Sequence, residues 1–465
     1  MYRLKKFVRR NRALVTGIAA VFIVLITGVV GIAIFAIKAE RRRAEAQLIA
    51  NFLENDVLGS ASKARSGEAT AIFMLNAASE SLEGKFKDKP LIEASLRKKL
   101  GWTYWELGEL KEAKQHLERS LQIHHQQLGE EHAVTLEAMQ NLGWVYQYQG
   151  RYHDAKRLFA KCLQIRQRVS GVELQLGNMN ALASANYHLG NYKEAVSLHE
   201  RILQIVRLHK LGEENVPRLP FWNCNLASAY AGQGRYEEAE QLYLENLEII
   251  RQKSDADSLL RFLYPSTDLA RMYIDQGRYD EAKPILIKTL KAMREVLGDE
   301  HFDTMYTMYK LAQVYTVHGD YEEAKKLFTE MLEIAPRKLG EDHPNTLTYI
   351  NGLAVLRREQ KLYEDAESLF TKALEGMRRR LGDDHPHTLQ SMHDLAVLYN
   401  EQGNYAKAEP LFIEALEGRL SKLGDTHPHT IESFNNLFDL YEAWNKPEKA
   451  KERRAKLAQK EVFEQ

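Results

Sequence analysis

Four stretches of this 465-residue chain crowd histidine and carboxylate together: LGDEHFDTM from Leu297, LGEDHPNTL from Leu339, LGDDHPHTL from Leu381 and LGDTHPHTI from Leu423. Groups of this kind ligate metals or exchange protons, so each stretch has to be tested for that chemistry. Spacing argues against it. His385 and His387 stand two residues apart and share no helix face, whereas paired helical ligands stand three or four apart. If the stretches separate packed helices, His343, His385 and His427 lie about 10 Å or more from one another. Ligands of a single zinc lie within roughly 4 Å of each other. The same residues suit a joint between helices. Gly382 closes one helix, Asp383 and Asp384 bring negative charge to the start of the next, Pro386 fits its first turn and Thr388 opens an apolar run. The joints are expected to hold no metal, no cofactor and no catalytic residue.

The elements on either side are set by a second motif, G-x-Y-x-x-A, which alternates with the first. It reads GRYHDA at Gly150, GNYKEA at Gly190, GRYEEA at Gly234, GRYDEA at Gly277, GDYEEA at Gly319 and GNYAKA at Gly403. Looser copies stand at Gly108, Lys361 and Asn445. Successive copies are 42, 40, 44, 43, 42, 42, 42 and 42 residues apart, which makes nine units. Each unit reads as two helices. In the eighth, Leu389, Met392, Leu395, Ala396 and Tyr399 recur at helical spacing, and after Gly403 so do Tyr405, Ala408, Leu411, Phe412, Ala415 and Leu416. Units 3 and 5 lack the histidine-containing joint.

The pattern L-x-x-x-Y-x-x-x-G followed by Y-x-x-A-x-x-x-F resembles the tetratricopeptide repeat, stretched from about 34 residues to 42. With L-G-x-x-H-P-x-T between units it is similar to the kinesin light chain variety. The resemblance covers about four-fifths of the chain and implies an all-α fold, a right-handed α-solenoid of helix hairpins. It also implies a concave groove lined by the first helix of each unit, where asparagines clamp a peptide backbone. The matching position, one before the leucine of the pattern, holds Lys99, Asn141, Ala181, Asn225, Asp268, Lys310, Gly352, Asp394 and Asn436. The same face carries Trp102, Trp144, Tyr264, Arg271 and Tyr306. Leaving out Ala181 and Gly352, these residues are the candidate partner-binding site. Amides offer the donor and acceptor a peptide backbone needs, and aromatic rings supply apolar area at low entropic cost.

The formal net charge is zero, yet residues 1–43 hold ten Lys/Arg against one Glu, so the remainder is mildly acidic. An acidic body is a poor nucleic-acid binder. Cys162 and Cys224 are too few for a disulfide framework and fall in helical patterns, so both are expected to be buried. Residues 13–37 contain no charge, and as a helix of roughly 37 Å they would cross a hydrocarbon core of about 30 Å. The expected order is a basic tail over 1–12, a transmembrane signal anchor over 13–37 and a helical stalk and cap over 38–89. Repeats follow over 90–446, and a charged helix over 447–465 completes the last one. The excess of basic residues before the span favours a cytoplasmic N-terminus and an extracytoplasmic body.

Basic tail, span, NFLENDVLG at Asn51 and LEGKFKDKPLIEASLRKKLGWTY at Leu82 also come in an order that resembles bacterial, planctomycete-like transmembrane serine/threonine kinases beyond their kinase domain. No kinase motif is present: His393-Asp394 lacks the intervening arginine and sits within a packing helix. The resemblance therefore implies architecture and partner binding rather than phosphoryl transfer. The expectation is a membrane-anchored, non-enzymatic scaffold holding a peptide or protein in its groove. The alternative is a kinase-less signalling subunit that regulates a separately encoded kinase, which recovery of a kinase from native membranes would favour.

Overall fold

The computed structural model describes residues 71–169, 171–208, 219–251 and 256–451. The span at 13–37, the tail at 1–12, most of the 38–89 stalk and the 452–465 end lie outside those residues. Among the described residues no helix is long and apolar enough to cross a membrane. The chain divides into two compact units, Met1–Leu100 and Gly101–Gln465. In the first, α1 (Ala71–Leu82) is followed by a turn and the start of α2 (Pro90–Glu106). Ala78, Leu82, Phe86, Ile92 and Leu96 are buried there, and Arg97 joins Glu93 at 2.7 Å to Glu83 at 3.0 Å.

The second unit is helical throughout its described residues. Its helices are α3 (Leu110–Leu128), α4 (Ala133–Tyr148), α5 (Tyr152–Val169), α6 (Val172–His188), α7 (Tyr192–Leu208), α8 (Leu219–Gly232) and α9 (Tyr236–Arg251). They continue as α10 (Ala256–Asp275), α11 (Tyr279–Leu297), α12 (Phe302–His318), α13 (Tyr321–Leu339), α14 (Pro344–Glu359), α15 (Tyr363–Leu381), α16 (Pro386–Glu401), α17 (Tyr405–Leu423) and α18 (Pro428–Ala443). Helices adjacent in sequence pack together, and first helices of successive units also touch, as α10 touches α8 and α12 touches α10. That is the packing of a solenoid of helix hairpins.

The alanine of G-x-Y-x-x-A marks the tightest contact. Ala155, Ala239, Ala324, Ala366 and Ala408 are all at 0 % exposure, and one turn on stand Phe159, Tyr243, Phe328, Phe370 and Phe412, each at 1 % or less. The ring of Phe159 lies against Gly143 on α4, where a β-carbon would clash with it.

The glycine and the tyrosine four residues before it, in L-x-x-x-Y-x-x-x-G, work as a pair. In unit 2, Arg151 N–H donates to the Tyr146 carbonyl at 2.8 Å and Gly150 N–H to the Gln147 carbonyl at 3.0 Å. This double bond pattern ends a helix through a left-handed residue, and Gly150 has φ +68°. Where the motif lacks glycine, Lys361 (φ 62°) and Asn445 (φ 54°) take up the same conformation, at a cost of about 1 kcal/mol each. The tyrosine hydroxyls then reach back to the previous unit: Tyr146 donates to Glu118, Tyr230 to Glu200, Tyr399 to Glu367 and Tyr441 to Glu409, all at 2.7–2.9 Å.

In the joints the histidine, rather than an aspartate, caps the next helix. Nδ1 of His132, His301, His343, His385 and His427 accepts the backbone N–H two residues on, at 3.1–3.3 Å. Asp383 and Asp384 pair instead with Arg378 at 2.9 Å and Lys422 at 2.6 Å on the flanking helices. Cys162 and Cys224 are buried.

The last three joints also return to the first three hairpin turns. His343 packs on Gly108, His385 and Pro386 on Gly150, and His427 on Gly190. His385 Nε2 donates to the Tyr148 carbonyl at 3.0 Å, and Arg380 grips Glu109 with two bonds of 2.8 and 3.0 Å. The solenoid thus closes on itself along a seam.

Candidate binding groove

The first helices of the units present polar and aromatic side chains to two cavities. A cavity of about 350 Å³ is bounded by α4, α6, α8, α10 and α12. A second, of about 600 Å³, is bounded mainly by α12, α14, α16 and α18.

Arg271 holds the smaller cavity together. Its guanidinium donates to Tyr187 Oη at 3.3 Å, Ser228 Oγ at 3.1 Å and Asp268 Oδ1 at 3.4 Å, so one side chain spans three consecutive units. The surrounding protein pushes the Asp268 carboxyl up, against the pull of Arg271. Trp144, Asn180, Ser184, His188, His199, Asn225 and Tyr306 complete the wall. Trp144 is backed by Phe159 at 5.3 Å between ring centroids. Burial raises the Tyr306 phenol to about 12.

Lys310 stands at the edge of the larger cavity, its ammonium 5.6 and 5.7 Å from the Tyr306 and Tyr309 rings. Among the described residues no carboxylate pairs with it. Enclosure by protein, and secondarily the Arg271 charge, bring its pKa down to about 8. Arg419, with 2 % of its side chain exposed, donates to the His429 carbonyl, Ser433 Oγ and Gln390 Oε1 at 2.6–2.8 Å. It ties α16, α17 and α18 beneath the cavity.

Seven sequence candidates fall on these walls or bond directly within them. Trp144, Asn225, Asp268, Arg271 and Tyr306 line the smaller cavity, and Lys310 and Asp394 the larger. Five do not line either. Lys99 belongs to the first compact unit and is exposed. Trp102 donates to Glu106 at 2.8 Å and packs on Trp105. Tyr264, 47 % exposed, donates to Asp303. Asn141 is half-buried outside both cavities, and Asn436 bonds His393 Nε2 at 2.9 Å.

The asparagine position has an unexpected partner. Asn225 bonds Asn180, Asp394 accepts from Asn351, and Asn436 bonds His393, at 2.7–2.9 Å. In each pair the partner is the residue before the equivalent position in the preceding unit. The position therefore stitches neighbouring units together as well as facing inward.

Sequence reading missed Asn180, Ser184, Tyr187 and His188, which form a polar stripe at helical spacing along α6. That stripe was legible by period alone. Counting one position per unit obscured it, because the register of unit 3 landed on Ala181, which is buried.

Segments 91–168, 263–337, 318–379, 346–421 and 395–453 match one family model described as "Tetratricopeptide repeat", and segments 179–215 and 224–258 match a second of the same description. Among solved structures, BtubC (BKLC) from P. vanneervenii is 22% identical, covering 50% of this chain and 90% of that one, with a TM-score of 0.39. A Podosopora anserina kinesin light chain repeat protein is 24% identical, covering 44% and 97%, with a TM-score of 0.37. A Rap protein complexed with competence and sporulation factor is 14% identical, covering 82% and 99%, with a TM-score of 0.50. At 14% identity the likeness to the Rap protein is one of fold. No curated protein matches the chain.

Proposed function

The chain belongs to the tetratricopeptide repeat family, and from that premise we propose that it is a membrane-anchored scaffold that binds a peptide or protein segment along its concave face. The observation that carries the reading is the wall itself. Two cavities of about 350 and 600 Å³ are lined by amides, hydroxyls, aromatic rings, the cations Arg271, Lys310, Arg358 and Arg419 and the carboxylates Asp268, Glu359, Asp394 and Glu432. Such a surface offers hydrogen bonds to a peptide main chain and flat apolar area to its side chains. Lys310, which pairs with no carboxylate among the described residues, is available to an acidic group on the ligand. The Rap protein of similar fold was crystallised with competence and sporulation factor, a precedent for this architecture holding another molecule. Anchoring rests on the uncharged 25-residue stretch Ala13–Ile37 and its basic flanks.

The test is crosslinking mass spectrometry of the full chain in native membranes, comparing wild type with K310E. Crosslinks from a partner to α6, α8, α10, α12 and α14 that are lost in K310E support the reading. Crosslinks confined to the outer, second helices, or unchanged in K310E, overturn it. Release of the protein by alkaline carbonate would refute the anchor.

A further inference from the structure

Three equivalent contacts close the second unit on itself, His343 on Gly108, His385 on Gly150 and His427 on Gly190, at sequence separations of 235, 235 and 237 residues. We propose that these joints form a proton-released seam, holding the solenoid closed near neutral pH and letting go on mild acidification. Lateral access to the concave face then depends on the seam. That consequence rests on the groove reading above, whereas the seam itself does not.

The geometry explains why histidine suits this place. His385 is 4 % exposed and uses both ring nitrogens: Nδ1 accepts from His387 N–H and Nε2 donates to the Tyr148 carbonyl. The ring is therefore neutral when docked. The turns receive these rings closely, since a methyl group at Gly108 or Gly190 would come within 2.8 or 2.9 Å of the His343 or His427 ring. His132 caps its helix in the same way but is exposed, as is much of the His301 side chain. Capping is common to docked and undocked joints, so docking adds burial.

Charged or titratable groups face each ring. His343 faces Arg380 and Glu109, which pair with each other. His385 faces His387, Asp384 and Lys422, the last two again paired. His427 faces His429, Arg419 and His188. Burial is the first cause that lowers His343 and His427 to about 4 and His385 to about 3. Arg380, His387, Lys422, His429, Arg419 and His188 push the same way, while Glu109, Asp384 and the Tyr148 carbonyl pull upward. The docked pKa lies below the ordinary value of about 6.5, so protons favour the open form. Closure is fully present above about pH 6.5 and is lost as pH falls through the window toward 4. At pH 5 each histidine that returns to its ordinary pKa shifts the equilibrium toward the open form by about thirtyfold.

The seam can be followed in the full chain, in detergent, by pulsed dipolar spectroscopy between nitroxides at K111C and R379C. These exposed positions border the roughly 590 Å³ cavity beside the docked His385 joint, and native Cys162 and Cys224 are buried. One short distance is expected at pH 7.5 and a longer, broader one at pH 5, with circular dichroism unchanged. In the triple variant H343N/H385N/H427N, where asparagine keeps a capping group but does not titrate, the short distance should persist at pH 5. The single variant H385N, which should move opening to lower pH, serves if the triple variant does not fold. An unchanged distance at pH 5, opening only together with helix loss, or equal opening in the asparagine variants would each overturn the proposal. The readout needs no ligand, so failure of the groove reading would leave it intact.

Discussion

The hairpin turns of units 1–3 and those of units 4–6 share a motif and a backbone, yet their surroundings differ. Gly108, Gly150 and Gly190 meet a histidine or proline from a joint more than two hundred residues away. Gly234, Gly277 and Gly319, at nearly the same φ, have nothing within 4 Å of where a β-carbon would lie. Glycine is needed at all six for its left-handed conformation. At the first three it is needed a second time, for space. Local sequence identity thus hides a tertiary difference that only the return of the solenoid creates.

The sharpest way to break this comparison is alanine at matched turns. G150A should lose about 3 kcal/mol in urea unfolding, from the backbone penalty plus overpacking against Pro386. G277A should lose only about 1 kcal/mol, the backbone penalty alone. Equal losses would mean that the seam contributes nothing. Next in size are the joints. H385A removes a cap and leaves the Tyr148 carbonyl unpaired, for a loss of about 2 kcal/mol, whereas H301A removes a cap alone, for about 1 kcal/mol. E109A should cost about 1 kcal/mol, since its pair with Arg380 is bidentate and part-buried. The exposed pair Arg337–Glu300 sets the floor, and E300A should leave the unfolding midpoint unchanged.

Within the described residues, the helix hairpins were legible in the sequence because each one is decided locally. Gly150, Tyr146 and Ala155 all act within one unit or on its neighbour, and their period is the period of the fold. The joint histidines were legible as punctuation, though not as the helix caps whose Nδ1 accepts a backbone N–H. The seam was not legible, because nothing in LGDDHPHTL distinguishes a docked joint from an undocked one. That depends on pitch, which accumulates from small rotations at every helix interface. The groove was half legible for the same reason. Arg271, Lys310 and Trp144 could be placed by register, but the stitching of Asn225 to Asn180 and of Asn436 to His393 follows from the stagger between units.

The tie between Arg380 and Glu109, 271 residues apart, bears on how this protein comes undone. A repeat array in which each unit touches only its neighbours frays from its ends, and its stability is a sum over adjacent pairs. Here the early and late units are also neighbours. Loosening the last joints strips contacts from the first turns, so protection against hydrogen exchange should be lost at both ends together while the middle units persist. In that respect the array behaves less like a spring than like a clasped ring.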